Sequence, residues 1–450
     1  MQKLLLSWFK PIIPYQDWLF CGLITILGIV LRLHNYDTLP PDNWTADEYA
    51  FAWSGMSLIQ DHVPTGWSWL TPTDDFPTVY WEEKGSRYRI VSPWFDHPPL
   101  YSLIVGMTSI LGGAKDFFDC SLTVMRIPSL VMGISAIILF YSLCKKLFNT
   151  NIAVISSLIF ATNPNTVFLS RLALSENLIL LLSLGVILLF LQYNQTSKSI
   201  YLYSSAILAG LAILVKVTGI FLICFLIVVL IYQRKWIDSL IVLLIGLVGF
   251  SLYYLYGWIY DFEFFKKILE EQTNRFTDFG ILKYLILPTV FFEDGWLCFS
   301  WLTLIPVLKL TEKLKSQIIA LPILIYSLLL VSSGAQSHYF AWYTIPFYPF
   351  LFLSLGIFLA DFWKKPDFMS ACLIFLFLGV WNIHLNIGDW ILSSSKGEYY
   401  FILATGLVLL VYLLDEITKR KTERLTCITT ILAFSSLIIA NINVILTYKP

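Results

Sequence analysis

The sequence predicts an all-α polytopic membrane protein with about 13 transmembrane helices and a long external loop after the first of them. Three observations carry that reading. Of the 450 residues, 57% are hydrophobic and only 13% charged, with mean hydropathy +0.73, a balance foreign to a soluble domain. Apolar runs of about 16 to 22 residues recur along the whole chain, each long enough for a helix to cross the hydrocarbon core. Finally, Lys145-Lys146, Lys198, Arg234-Lys235, Lys309 with Lys313 and Lys315, Lys364-Lys365 and Lys419-Arg420-Lys421 with Arg424 fall after every second run. The positive-inside rule makes that side cytoplasmic.

The runs lie near 18–33, 122–143, 152–169, 175–192, 200–215, 217–233, 237–258, 284–308, 317–332, 342–362, 368–387, 400–415 and 426–446. The first follows Lys3 and Lys10 but leads into Arg32, His34 and Asn35 rather than a small-residue cleavage site, so it reads as a retained helix with a cytoplasmic N-terminus. The eighth is interrupted by Glu293 and Asp294. With neither tandem repeat nor low-complexity tract, 1–450 reads as one membrane domain. It has an external loop at 34–121 and a less distinctive rear helical bundle at 222–450.

That loop is far longer than ordinary connections and calls for structure of its own. Helical spacing predicts one helix from Glu48 to Gln60 and a second from Pro98 to Leu111. Between them Pro64 to Ser92, rich in turn formers and Trp, reads as an irregular segment on the membrane surface. After the seventh run Phe265, Leu269, Gln272 and Phe276 keep helical spacing beside Lys266, Lys267, Glu270 and Glu271, the pattern of an interfacial amphipathic helix that anchors or covers. Six of the seven cysteines fall in or beside apolar runs, without CxxC or zinc spacing; Cys120 alone sits near the external face.

Four constellations have chemistry to offer. Thr45-Ala46-Asp47-Glu48-Tyr49 places two adjacent carboxylates at a helix start, where they either cap and complement the dipole or act on a substrate. Asp96-His97-Pro98-Pro99 closes the loop with a rigid turn, either a plain helix opening or a mount holding two polar groups in a fixed direction. Arg126, Arg171 and Lys216, with Glu176 near Arg171, stand at one external level. Each either snorkels to the interface or joins a pocket able to hold a phosphate. His338, within Ser337-His338-Tyr339, belongs to an aromatic belt or binds a phosphate or acceptor.

Gly-rich phosphate loops, GxSxG elbows and HExxH helices are absent, and the cytoplasmic loops are too short for a nucleotide sugar. A substrate must therefore arrive from the membrane or the external side. Asp47 and Glu176 have the chemistry to share a divalent ion, and the sequence leaves metal use open.

These residues resemble the lipid-linked glycosyltransferases of the GT-C class, in particular the protein O-mannosyltransferase and aminoarabinose transferase group. The resemblance rests on Asp47-Glu48 after the first span, Phe95-Asp96-His97-Pro98-Pro99-Leu100, Met125-Arg126-Ile127-Pro128-Ser129, and Ser170-Arg171-Leu172-Ala173 followed by Glu176. Ala209 to Lys216 and Trp342 to Pro349 extend it. It implies transfer of a sugar from a polyprenyl-phosphate donor to a lipid, glycan or protein acceptor outside the cytoplasm, usually with inversion. In that frame Asp47 is the catalytic carboxylate and Glu48 its support. His97 lines the acceptor or donor side, and Arg126, Arg171 and Lys216 are candidates for the lipid phosphate with Glu176 beside them. The Trp-Trp-Asp-Tyr-Gly signature of oligosaccharyltransferases and the soluble inserts of eukaryotic protein mannosyltransferases are missing, which favours a bacterial envelope enzyme of the inner membrane. Expected partners are the lipid donor, membrane lipid and the acceptor, with no nucleic acid. A transporter or flippase of lipid-linked sugars is the alternative; it predicts an inverted pair of broken helices and mid-membrane charges. A scaffold would leave the long loop unexplained.

Overall fold

Proline, asparagine and glycine decide where the apolar runs become separate helices. The computed structural model describes residues 15–68, 78–81, 86–273, 295–332, 341–379 and 395–449. The first run forms α1 (Tyr15–Leu33), and the loop beyond it holds α2 (Asp47–Gln60), a small sheet and α3 (Pro99–Leu111). The short α4 (Leu122–Met125) leads into α5 (Ile127–Leu147), and then come α6 (Thr150–Thr162), α7 (Pro164–Arg171), α8 (Ser175–Thr196) and α9 (Ser199–Val215). The chain continues through α10 (Ile220–Tyr232), α11 (Trp236–Tyr260), α12 (Phe262–Thr273), α13 (Gly295–Leu308) and α14 (Lys313–Ser332). It ends with α15 (Tyr348–Lys364), α16 (Phe368–Ile374), α17 (Ser395–Ile417) and α18 (Glu423–Thr447).

Among the described residues seven helices are long and apolar enough to cross a membrane, or eight if the bent pair α6–α7 is one span. Hydropathy counts apolar stretches without asking whether the helix formed is long enough, and Ser199–Val215 is apolar but short. The expected span at 152–169 is broken. Asn163 leaves the helical conformation (ψ 126°) and its side chain caps Thr166, while Pro164 has no N–H with which to continue α6. The chain therefore turns by 58° into α7, which carries Arg171 inward.

The loop helices appear where the spacing predicts, but the segment between them is not irregular. Gly66–Trp67, Thr78–Trp81 and Ser86–Val91 (β1, β2, β3) form an antiparallel sheet in the order β1-β3-β2, with Trp67 opposite Ile90 and Val79 opposite Tyr88. The Trp94 indole donates to Trp67 O at 2.8 Å and the Trp53 indole to Phe117 O at 2.7 Å, so these tryptophans hold the loop together from within.

Helices α2 and α3 touch backbone to backbone. A Cβ on Gly55 would lie 1.8 Å from Ser102 O, and one on Gly106 would lie 2.3 Å from the Gly55 carbonyl carbon. Only hydrogen atoms fit at that crossing. Gly106→Ala is expected to lower stability by about 2–3 kcal/mol, since backbone rather than a pliable side chain would have to move. Thermal melting of the purified protein in detergent checks it; an unchanged midpoint would disprove the close crossing.

Helix α12 departs from the anchoring role. Phe265 and Ile268 on its apolar face are buried against protein, with the Phe265 ring 5.4 Å from Phe95 and 5.0 Å from Tyr253. Gln272 donates to Asp96 O, so α12 holds the end of the long loop after α1. Phe276, Glu293, Asp294 and His338 lie outside the described residues.

Candidate active site

Asp47 and Glu48 are neighbours in sequence and opposites in structure. Successive residues on a helix project about 100° apart, so at the start of α2 one side chain faces inward and the next does not. Glu48 is fully buried; Asp47 is partly exposed. Helix α2 has Ala46 at its N-cap, without a side-chain capping hydrogen bond, and the Asp47 N–H donates to Thr45 Oγ1 at 3.2 Å. The capping role open to the pair is therefore not the one the geometry displays, although both carboxylates stand in the first turn, where the helix dipole favours them.

Glu48 takes a fork from Arg126: Nε donates to Oε1 at 2.9 Å and Nη2 to Oε2 at 2.8 Å. The Ala173 N–H adds a third bond to Oε1 at 2.8 Å. The remaining Arg126 nitrogen, Nη1, donates to Tyr36 O at 2.8 Å and Pro40 O at 2.9 Å. Both side chains have zero exposure, so the charge-assisted fork lies wholly inside protein. One guanidinium thus ties together the end of the first span, α2 and the start of α5.

Arg171 is buried in the same way. Its Nη2 donates to Leu31 O at 2.7 Å and its Nη1 to Leu39 O at 3.3 Å, with the guanidinium over the Phe168 ring at 4.6 Å. The resemblance assigns Arg126 and Arg171 to a lipid phosphate; in the structure their nitrogens donate to chain carbonyls and, for Arg126, to the Glu48 carboxylate. The bend after α1 leaves carbonyls without helical partners, and a five-donor guanidinium satisfies several at once.

Lys216 sits between α9 and a short 3-10 turn at Val217–Gly219, where its extended backbone aims the side chain back across α8. Its ammonium pairs with Glu176, whose second oxygen accepts from Ser175 Oγ at 3.1 Å. The Tyr343 ring covers it at 4.1 Å. The charge of Asp47 also acts on Lys216, which places the exposed carboxylate in its electrostatic reach. Lys216, Glu176 and Tyr343 form one cluster built from three distant stretches of chain, and the charge of Asp47 reaches its ammonium. Tyr343 was not singled out from the sequence, where it looks like one more member of an aromatic belt.

His97 stacks on Phe51, one helical turn beyond Asp47, with centroids 5.2 Å apart. Asp96 is buried and accepts from Ser68 Oγ at 2.8 Å. Among the described residues no three His, Cys, Asp or Glu side chains converge as metal ligands, and Glu176 is already engaged by Lys216 and Ser175.

Cys120, expected near the external face, is buried with its thiol 3.3 Å from Met56 Sδ, and burial pushes its pKa up to about 12. Maleimide at pH 8 is expected to modify it about a thousandfold more slowly than an exposed thiol, because little thiolate is present. Site-resolved mass spectrometry of the folded protein is the measurement; rapid labelling would refute it.

Residues 96–258 match the family model described as dolichyl-phosphate-mannose-protein mannosyltransferase. The match includes His97, Arg126, Arg171, Glu176 and Lys216 and begins after Asp47-Glu48. No curated protein sequence matches significantly. Among solved structures, ArnT from Cupriavidus metallidurans in the apo state is similar with TM-score 0.57 and 15% identity, covering 95% of this chain and 76% of that one. ArnT of the same organism bound to undecaprenyl phosphate gives TM-score 0.53 and 14% identity, with 95% and 77% coverage. The arabinosyltransferase EmbB from Mycobacterium smegmatis gives TM-score 0.52 and 12% identity, covering 98% of this chain and 42% of that one. At such identities the likeness is one of fold. By that fold over nearly its whole length, and by family model over 96–258, the chain resembles the GT-C lipid-linked glycosyltransferases.

Proposed function

We propose that this protein transfers a sugar from a polyprenyl-phosphate-linked donor to a lipid, glycan or protein acceptor on the non-cytoplasmic face of a bacterial inner membrane, with inversion at the anomeric carbon. The observation that carries the proposal is the partly exposed Asp47 carboxylate within electrostatic reach of the Lys216 ammonium, on a helix whose next residue is pinned in the core. An inverting displacement needs a base on one face of the sugar and stabilisation of the departing phosphate on the other. Asp47 takes the proton from the acceptor hydroxyl as its oxygen bonds to the anomeric carbon. The bond from that carbon to the phosphate oxygen breaks, and the phosphate leaves with the electron pair.

Lys216 is the cation for that phosphate. Glu176 and Tyr343 hold the ammonium in place, which suits a point charge that must be aimed rather than forked. Glu48, Arg126 and Arg171 are assigned to the framework that fixes Asp47. His97, stacked beside α2, lines the sugar or acceptor side, and His338 is retained as an acceptor or phosphate contact. The test is Asp47→Asn in membranes supplied with a polyprenyl-phosphate sugar, read as transfer to acceptor; undiminished turnover would remove Asp47 from the mechanism. Transport of labelled lipid without any glycosyl transfer would favour a flippase instead.

A further inference from the structure

Three buried guanidiniums, those of Arg32, Arg126 and Arg171, follow one another through the bundle behind the candidate site. The charge of Arg126 acts on Arg171, and that of Arg171 acts on Arg32. Only Arg126 has a carboxylate in its hydrogen-bonding set; among the described residues neither Arg171 nor Arg32 forms an ion pair. Arg171 spends two nitrogens on carbonyls and lies over Phe168. Arg32 is served least. Its Nη1 donates to Ala161 O at 3.1 Å and Gly28 O at 3.4 Å, and the Phe160 ring lies 5.9 Å away. Its Nε and Nη2 have no partner, although the residue has zero exposure.

Those atoms belong to a side chain that lines a small cavity at the α6–α7 break, along with Gly133, Thr166, Ser170, Asn177 and Tyr348. Its volume is about 10 Å³, room for a single-atom ligand and too little for a phosphate. The Ser170 and Thr166 hydroxyls donate to the carbonyls of Val167 and Phe160, so neither needs the cavity as an acceptor. An unneutralised guanidinium in a low-dielectric interior is costly, and two in succession repel each other. Water in the cavity would accept Arg32's hydrogens but would leave the charge.

We infer that the cavity beside Arg32 is a binding site for a small monovalent inorganic anion, with chloride the abundant representative, held by Arg32 Nε and Nη2 and offsetting one of the two uncompensated charges of the arginine series. The site is independent of the proposed sugar transfer, and its test reads binding and stability rather than activity.

The full-length protein in zwitterionic-lipid nanodiscs is melted in chloride and in gluconate at equal ionic strength. Tm is expected to rise with chloride, saturably, by about 3 °C. Arg32→Gln is expected to abolish the dependence. If that variant does not fold, the bromide measurement on the unaltered protein decides. Bromide, used as a heavy probe in crystals of the unaltered protein, should give an anomalous peak within hydrogen-bonding distance of Arg32. Equal melting in the two salts, or bromide absent from the cavity and a water in its place, would overturn the proposal.

Discussion

Replacing Asp47 with Asn is expected to reduce transfer by about 10³-fold while moving Tm by no more than about 1 °C. Asn has nearly the same shape but neither accepts the acceptor's proton nor carries charge, so the rate lost is the whole contribution of a positioned base, typically 10²–10⁴. Stability should hold because Asp47 is partly exposed and stands inside the N-cap of α2, which is Ala46. Binding of the anionic donor should be kept or slightly improved, since a negative charge is removed from the reach of Lys216. The loss therefore belongs in kcat rather than KM. Steady-state kinetics with a synthetic polyprenyl-phosphate sugar, beside a melting curve, separates these quantities. A raised KM with kcat intact would make Asp47 a binding group, and unchanged kinetics would remove it from the site.

The two roles given to Asp47 and Glu48 illustrate what a sequence discloses and what it withholds. An acidic pair at a helix start is visible at once, but which carboxylate turns inward depends on where α2 meets its neighbours. Arg126 comes from 78 residues away and the Ala173 N–H from 125, and neither contact leaves a local pattern. Arg171 is similar. Read alone, a cation at the end of an apolar run suggests snorkelling or a ligand, whereas its structural partners are carbonyls at Leu31 and Leu39 on a distant stretch. Helices α2 and α3 were legible because their period is local. The small sheet was not: Arg87-Tyr88-Arg89-Ile90 alternates, but its strands are only two to six residues long and lie among turn formers, so the signal is short. The Asn163-Pro164 break had a local signal, a cap residue followed by proline, that hydropathy averaging conceals.

Removing Arg126 should be the most destabilising single change at this site. Arg126→Ala leaves the Glu48 carboxylate in the core with only the Ala173 N–H, and deprives Tyr36 O and Pro40 O of their donor. Breaking a buried pair from one side costs about 3–5 kcal/mol, mostly the penalty of the stranded charge. Arg126→Lys keeps the charge but not the fork, and should fall between Ala and the unaltered protein. The double variant Glu48→Leu with Arg126→Leu strands no charge and should be milder than the sum of its two single changes, a coupling that a double-mutant cycle on melting midpoints measures. Each single variant should also lose transfer, because α2 would no longer aim Asp47, and the loss should follow the fraction folded. A phosphate-binding Arg126 makes the contrary prediction. Stability would stay near that of the unaltered protein, KM for the donor would rise, and Glu48→Leu would not couple to it. The zero exposure of both side chains is the reason to expect the first pattern: an arginine enclosed with its own carboxylate has no surface left to offer a lipid phosphate.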